Sequence, residues 1–345
     1  MTERPRRPTI TDVAALAGVS RTAVSKVFND HGSISLATEA RIREAARKLQ
    51  WTPSATAIAL RSARSWTVGL ILHRPGLEPD DDPRLPVSLI AGLEPVLASR
   101  GYGLLLQTTA EEREQAQTYR RLAEAKRVDG VVLVDSMIGD TRFELARELG
   151  LPAVLVGTPW REDPIAYLGH GTHGAGMPEA AEHLVALGHR RIAYIDGPEH
   201  QVDARDRAQA LAAALTRHAI RLVAHTTGPY SPSSAAVRTA ELLDRWPDVT
   251  AILYGEDTMA LAGMHVLWSR GLRVPEDVSV IGYNGIEVGE WVQPQLTTVR
   301  RDSVQRGRAA AVVLLRLLGQ HVEQEYLVEE PALVVRSSTG PVRAG

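Results

Sequence analysis

Four side chains near the start of the chain, Arg21, Thr22, Ser25 and Lys26, have the types and spacing of a surface that reads DNA bases. At about 3.6 residues per turn they fall along one side of a helix. Arg21 and Lys26 can donate to guanine O6 and N7, and Thr22 can reach a base edge or a methyl group. Either cation could instead rest on a phosphate, which positions a protein without reading sequence. A second suggestive run, Gly169-His-Gly171-Thr-His-Gly174, fits the G-x-G-x-x-G pattern that cradles a dinucleotide pyrophosphate. It follows the short apolar run IAYL, and Asp196 stands about 20 residues on, as a ribose-binding acid would. On that pattern the chain would be an NAD(P)-dependent oxidoreductase, but no convincing catalytic constellation accompanies it. His170 and His173 could bind an effector or a metal, though two histidines without a third ligand make a poor metal site.

The base-reading residues need a scaffold, and TITDVAALAGVSRTAVSKVFN (residues 9–29) supplies one. Thr11 is placed to cap a helix Asp12–Ala17, and Gly18 suits the left-handed position that ends it. Ser20 caps a second helix, Arg21–Asn29. Val13, Ala14, Ala17, Val19, Val24 and Val27 supply the apolar contacts between them, which makes a helix-turn-helix signal; the bland alternative is a plain αα-corner. Thr11, Ser20, Asn29 and the arm Arg4, Arg6 and Arg7 are assigned to phosphate positioning. A third helix, Leu36–Leu49, with Ala40, Ile42, Ala45, Ala46 and Leu49 at helical spacing, completes a three-helix core.

Charge is distributed accordingly. The first 65 residues hold 11 Lys+Arg against 5 Asp+Glu, and the remaining 280 hold 28 against 36, so a basic head precedes an acidic body. Length suits two or three domains. Cysteine is absent, which excludes disulfides and thiolate chemistry and fits a reducing cytoplasm. The N-terminus has no apolar run of a secretory signal, and no stretch is long and apolar enough to span a bilayer. No cofactor or metal is expected. Beyond VVRSSTGPVRAG there are no apolar heptads for a tetramerising coiled coil, so a homodimer is expected.

TITDVAALAGVSRTAVSKVFND, a third helix and then WTPSATAIALRS together resemble the lactose/galactose repressor (LacI/GalR) family of bacterial transcription regulators. The resemblance implies that the segment after Pro53 is a hinge that becomes helical on operator DNA. Leu60 then matches the leucine that wedges into the minor groove, and Ser54, Ala55 and Ala57 match the small and polar hinge positions. Ile58 departs from the Arg or Gln usual there. Taken alone, the segment is alanine-rich and too short to be a stable helix, and could equally be a linker.

From Trp66 short apolar strands alternate with helices, which implies parallel sheets covered on both faces. The first set runs from VGLIL (68–72) to PAVLVG (152–157), with Pro95 expected to bend the helix 86–101. The second runs from helix 178–188 to strand VSVIGYN (278–284). TTVRR (297–301) reads as a crossover, and helix 304–319 returns to the first set. The expected architecture is thus a head (1–52), a hinge (53–65) and a core (66–345). The core comprises two Rossmann-like α/β subdomains, about 66–167 with 299–325 and 168–298 with 326–340. LGHRRIAYIDGP, VPEDVSVIGYN, QLTTVRRD and VVRSSTGP carry the resemblance through this core, and it implies a fold of the periplasmic-binding-protein type.

Ligands of open α/β sheets bind beyond the carboxyl ends of strands. His73 and Arg74 end the first strand, Glu256 and Asp257 follow AILYG, and Asn284 follows VIGY. Arg207 matches the family's effector-binding arginine, and Tyr230 lies where relatives place an aromatic against ligand. Many sugar-sensing relatives have Asn-Asp where Glu256-Asp257 stands, and Asp at the place of Asn284. The resemblance therefore implies a regulator, in all expectation a repressor, that binds operator DNA and a small polar effector. A free-standing solute-binding protein is disfavoured by the attached head and the missing signal.

Overall fold

The computed structural model describes residues 8–28, 34–52, 64–73, 86–169 and 174–343. The chain divides into two compact units, Met1–Ser65 and Trp66–Gly345. The expectations for Arg4, Arg6, Arg7, Asn29, Ser54, Ala57, Leu60, Arg74, His170 and His173 lie outside the described residues.

In the first unit, α1 (Ile10–Ala17), α2 (Arg21–Val27) and α3 (Leu36–Lys48) enclose Val13, Ala14, Val24, Ile42 and Ala45. Helix α1 starts two residues before the expected point. Asp12 is its third residue, and its carboxylate accepts the Thr9 N–H and the Thr9 hydroxyl, each at 2.7 Å. Thr9 is thus the cap, and Thr11 lies inside the helix with its side chain exposed. Gly18 takes φ 65° and ends α1 as expected. Ser20 Oγ accepts the Ala23 N–H at 3.1 Å and caps α2. Phe28 and Trp51 meet edge to face at 5.3 Å and close the small core.

The second unit holds two sheets. The first contains β1 (Thr67–His73), β2 (Gly103–Thr109), β3 (Gly130–Val134), β4 (Ala153–Val156) and β5 (Ala166–Leu168), in the order β2-β1-β3-β4-β5, all parallel. Helices α4 (Val87–Ala98), α5 (Glu112–Glu124) and α6 (Arg142–Glu148) belong to this lobe. The second sheet contains β6 (Ile192–Asp196), β7 (Ala224–Thr227), β8 (Ala251–Tyr254), β9 (Ser279–Asn284), β10 (Thr297–Arg300) and β11 (Ala332–Val334). Its order is β11-β10-β9-β8-β6-β7, and only β11 runs antiparallel to its neighbour. Helices α7 (Met177–Ala186), α8 (Val202–Thr216), α9 (Pro232–Arg245), α10 (Asp257–Ser269) and the short α11 (Val288–Trp291) accompany it. Each lobe buries its sheet on both faces, as runs such as LILH and IAYID require.

Three elements differ from expectation. TTVR is a strand beside β9, because Thr297, Thr298 and Val299 are β-branched and buried. The polar AHTT (β7) and the one-turn α11 had no periodic signal. Pro95, expected to bend its helix, sits inside α4 on the exposed side.

Helix α12 (Ser303–Leu317) returns to the first lobe and crosses α4 at backbone distance. A Cβ on Gly92 would lie 2.0 Å from the Val304 carbonyl oxygen, and one on Gly307 would lie 2.2 Å from that of Leu89. These two glycines face each other, and no side chain separates the helices.

Candidate functional site

Two surfaces carry chemistry, one in each unit. In the first, α2 buries Val24 and Val27 and presents Arg21, Thr22 and Lys26 to solvent, with Ser25 half-buried beside them. Arg43 pairs with Glu39 at 2.8 Å, Lys48 with Glu44 at 3.8 Å, and Arg47 also pairs with Glu44. The third helix therefore spends most of its cations on itself. Among the described residues Arg21 and Lys26 have no carboxylate partner, so α2 offers donors that are still free.

In the second unit a cavity of about 830 Å³ opens between the two lobes, at the carboxyl ends of their strands. That size accommodates a small polar molecule with most of its surface covered. Arg207, Tyr230, Glu256, Asp257 and Asn284 all line it. His73, half-buried at the end of β1, is not among the lining residues.

Arg207 forms the cavity's inner wall. Helix α8 carries it, and it is 7% exposed. Its Nη1 donates to the Gly255 carbonyl at 2.8 Å, its Nε to the Asp203 carbonyl at 3.2 Å, and its Nη2 to the Tyr230 hydroxyl. Asp196 Oδ1 lies 3.8 Å away, and the Tyr283 ring centre 4.3 Å from Cζ. Burial opposes the charge, but Tyr230, Tyr194 and Asp196 outweigh it and hold the guanidinium firmly protonated. Two glycines make room for the Tyr230 ring. A Cβ at Gly197 would come within 1.9 Å of it, and one at Gly255 within 3.0 Å.

Asn284 takes φ 110°, a region that L residues rarely adopt, and its Nδ2 donates to Glu256 Oε1 at 3.2 Å. Thr258 donates to the other Glu256 oxygen at 3.1 Å. The carboxylate is thus fixed at the cavity edge.

Asp257 is engaged by the protein's own donors. The residue is 1% exposed, and its carboxylate accepts the Thr298 hydroxyl at 2.5 Å and the Ile286 N–H at 2.7 Å. It ties the loop after β9 to β10, so its oxygens are engaged within the protein although the residue is on the lining. Burial raises its pKa from 3.8 to about 7, against the opposing bonds from Thr298 and the backbone of Ile286 and Gly285. The folded protein therefore holds a proton that the unfolded chain has lost. This contribution to stability is full below about pH 4 and is lost as pH rises through about 7. Melting Asp257→Asn beside the parent between pH 4 and 8 should show the variant lacking that part of the decline. Parallel pH profiles for the two proteins would remove this assignment.

The lobes also touch through their backbones. The Ile138 N–H donates to the His200 carbonyl at 2.8 Å, and the Val202 N–H to the Ser136 carbonyl at 2.9 Å, on either side of an antiparallel bridge between Met137 and Gln201. Val202 opens α8, so a carbonyl of the opposite lobe takes one of that helix's first N–H groups. The first-lobe loop is stiff. Arg142 pairs with the buried Asp140 at 2.6 Å and donates to the Asp135 carbonyl at 3.0 Å.

Residues 9–54 match bacterial regulatory proteins of the lacI family, and residues 181–339 match a periplasmic binding protein-like domain. The HTH-type transcriptional regulator CelR of Thermobifida fusca is 36% identical over 343 residues, covering 97% of this chain and 99% of its own. The chain belongs to the LacI family of bacterial regulatory proteins. The HTH-type transcriptional repressor PurR of Aliivibrio salmonicida (strain LFI1238), another member, is 30% identical over 339 residues, covering 96% of this chain and 98% of its own. Two solved LacI-family structures align over nearly the entire chain. The lac repressor dimer bound to operator and the anti-inducer ONPF has a TM-score of 0.84 at 28% identity, covering 97% of this chain and 100% of that one. A CelR–cellobiose complex has a TM-score of 0.71 at 33% identity, covering 96% and 100%. The protein is thus a ligand-responsive DNA-binding transcriptional regulator and not an enzyme.

The fold explains why the dinucleotide fingerprint misled. A Rossmann site needs its acid on the strand beside the glycine-rich turn. Here β5, before the turn, belongs to the first sheet, and β6, ending in Asp196, belongs to the second. Gly174 has a packing reason instead, since a Cβ there would meet Ala210 at 2.5 Å and the Asp206 carbonyl at 2.7 Å. The sequence reading also passed over Arg301 and Arg306, which line the cavity. Reading TTVR as a strand would have placed the residues after it at a carboxyl end, where ligands bind.

Proposed function

We propose that this chain is a homodimeric, cytoplasmic repressor whose affinity for a two-fold-related operator is set by a carbohydrate bound between its lobes. Residues 1–52 form the reading head, 53–65 the hinge and 66–345 the core. The observation that carries the ligand reading is the cavity wall around Arg207. Fixed donors and acceptors there flank the ring of Tyr230, an arrangement suited to a hydroxylated ligand. The CelR–cellobiose complex supports the same class. In the head, Arg21, Thr22, Ser25 and Lys26 read base edges, while Thr11, Ser20 and Asn29 position on phosphate. Ser54, Ala57 and Leu60 engage the minor groove at the operator centre. Trp268 and Trp291 support dimerisation, since they are 74% and 75% exposed and large aromatics are enriched where proteins meet. The lac repressor structure is likewise a dimer on operator.

Selecting bound sequences from random DNA and then screening saccharides for release or tightening tests the reading as a whole. Within the head, Arg21→Ala should weaken the selected operator by about 1–3 kcal/mol while leaving unrelated DNA almost unaffected. Lys26→Ala should behave similarly. Equal losses on both DNAs would reassign these cations to phosphate. A saccharide-insensitive protein that nonetheless bound its operator would remove the effector class and keep the DNA reader.

A further inference from the structure

Two of the arginines that line the cavity, Arg301 and Arg306, have no carboxylate in contact among the described residues. Arg306, on α12, is 2% exposed, and its guanidinium donates to the carbonyls of Leu168 at 2.6 Å and Gly169 at 3.1 Å. Both partners are uncharged, and they use two of five N–H donors. Arg301, just past β10, is half-buried, and its Nε–H is shielded from solvent with no hydrogen-bond partner. Neither residue has a carboxylate oxygen within 4.0 Å among the described residues. Arg207 differs, because Asp196 stands 3.8 Å away.

The surrounding charges sharpen the contrast. Arg301 and Arg306 are close enough to repel, and the carboxylate nearest in effect to Arg306 is Asp203. Burial and then Arg301 lower the Arg306 pKa to about 10, the response of a cation short of countercharge. The other lining acids do not touch these arginines: Asp206 pairs with Arg205 at 3.4 Å, Asp257 is bonded to Thr298 and Ile286, and Asp135 is exposed. Glu287, Asp302, Glu329 and Glu330 are exposed at the rim, where water screens them, and Glu256 is bonded to Asn284 and Thr258. Asp203 is thus the one acid that acts on Arg306, and it does so without contact. A buried charge of that kind is unfavourable until an anion meets it, and the planar guanidinium fork fits a carboxylate.

We infer that Arg301 and Arg306 form an anion subsite, so that the effector of this regulator is a sugar acid: hydroxyls toward Glu256 and Asn284, one carboxylate toward the two arginines. The inference rests on the carbohydrate reading of the cavity and adds a charge to it.

The test uses the full chain and matched probes. Glucose and cellobiose are titrated beside glucuronate, gluconate, cellobionate and glucose 6-phosphate, with calorimetry, thermal melting and operator release as readouts. A sugar acid should bind at least tenfold more tightly than its neutral counterpart, and the advantage should shrink as sodium chloride is raised. Arg301→Gln, at a half-exposed position, should erase the advantage while retaining fold and operator binding. Arg306→Leu should do the same if it folds. Neutral sugars that equal their acids, a sugar phosphate that surpasses them, or an acid preference that survives Arg301→Gln would each overturn the inference and leave the carbohydrate reading standing. Silence of the complete panel with operator binding intact would remove both.

Discussion

Arg207→Ala should abolish the effector response of operator binding and weaken the core by about 3–5 kcal/mol. Both effects follow from one geometry. The guanidinium bridges Gly255, Asp203 and Tyr230, and its removal frees the Tyr230 ring that forms the cavity wall. It also leaves Asp196, almost fully buried, without its cation. Arg207→Lys restores a charge but not the fork, so it should recover part of the stability and none of the response. Denaturant melts give the first quantity, and operator titrations with and without effector give the second. A variant that melted like the parent and released DNA at the same ligand concentration would refute the assignment.

Gly307→Val should prevent the first lobe from closing its core, and Gly307→Ala should lower stability by about 1–3 kcal/mol or more. Backbone atoms, which cannot rotate aside, occupy the space a side chain needs: Leu89 O at 2.2 Å and Leu93 N at 2.9 Å from an added Cβ. The helices must move apart, and Val312, Leu314 and Leu315 move with α12 out of the core they share with Leu93 and Leu97. Gly103→Ala is the control. It lies on an edge strand with nothing within 4 Å of an added Cβ, so it should change stability by less than about 0.5 kcal/mol. If Gly307→Ala and Gly103→Ala melted together, the close crossing of α4 and α12 would not hold.

What could be read from sequence follows from how local each determinant is. Gly18 and Ser20 act on their own backbone within three residues, and both behave as expected. The start of α1 misled because Thr9 and Thr11 are both good caps, and only the reach of Asp12 back to Thr9 decides between them. The alternation of strands and helices was plain because each strand is uniformly apolar, whereas β7 is polar and β10 is short and threonine-rich. Asp257 looked like a ligand residue because it follows a strand. Its role depends on Thr298 and Ile286, which are distant in sequence, so only the fold turns its carboxylate inward. Arg306 reads as one more helical arginine until β5 supplies the carbonyls that hold it in the cavity. The Gly169–Gly174 pattern was deceptive for the same reason, since nothing local says that the next strand joins a different sheet.

The backbone bridge between the lobes bears on time as well as affinity. For the cleft to gape on that side, the Ser136–Val202 and Ile138–His200 hydrogen bonds must both break, and α8 loses the carbonyl that receives its first N–H. Gln201 and Asp203, beside that N–H, line the cavity, and Arg207 lies little more than one turn further along the same helix. Release of a bound molecule through that side then includes breaking the bridge as well as the molecule's own contacts, so the bridge adds the same step to the departure of every ligand.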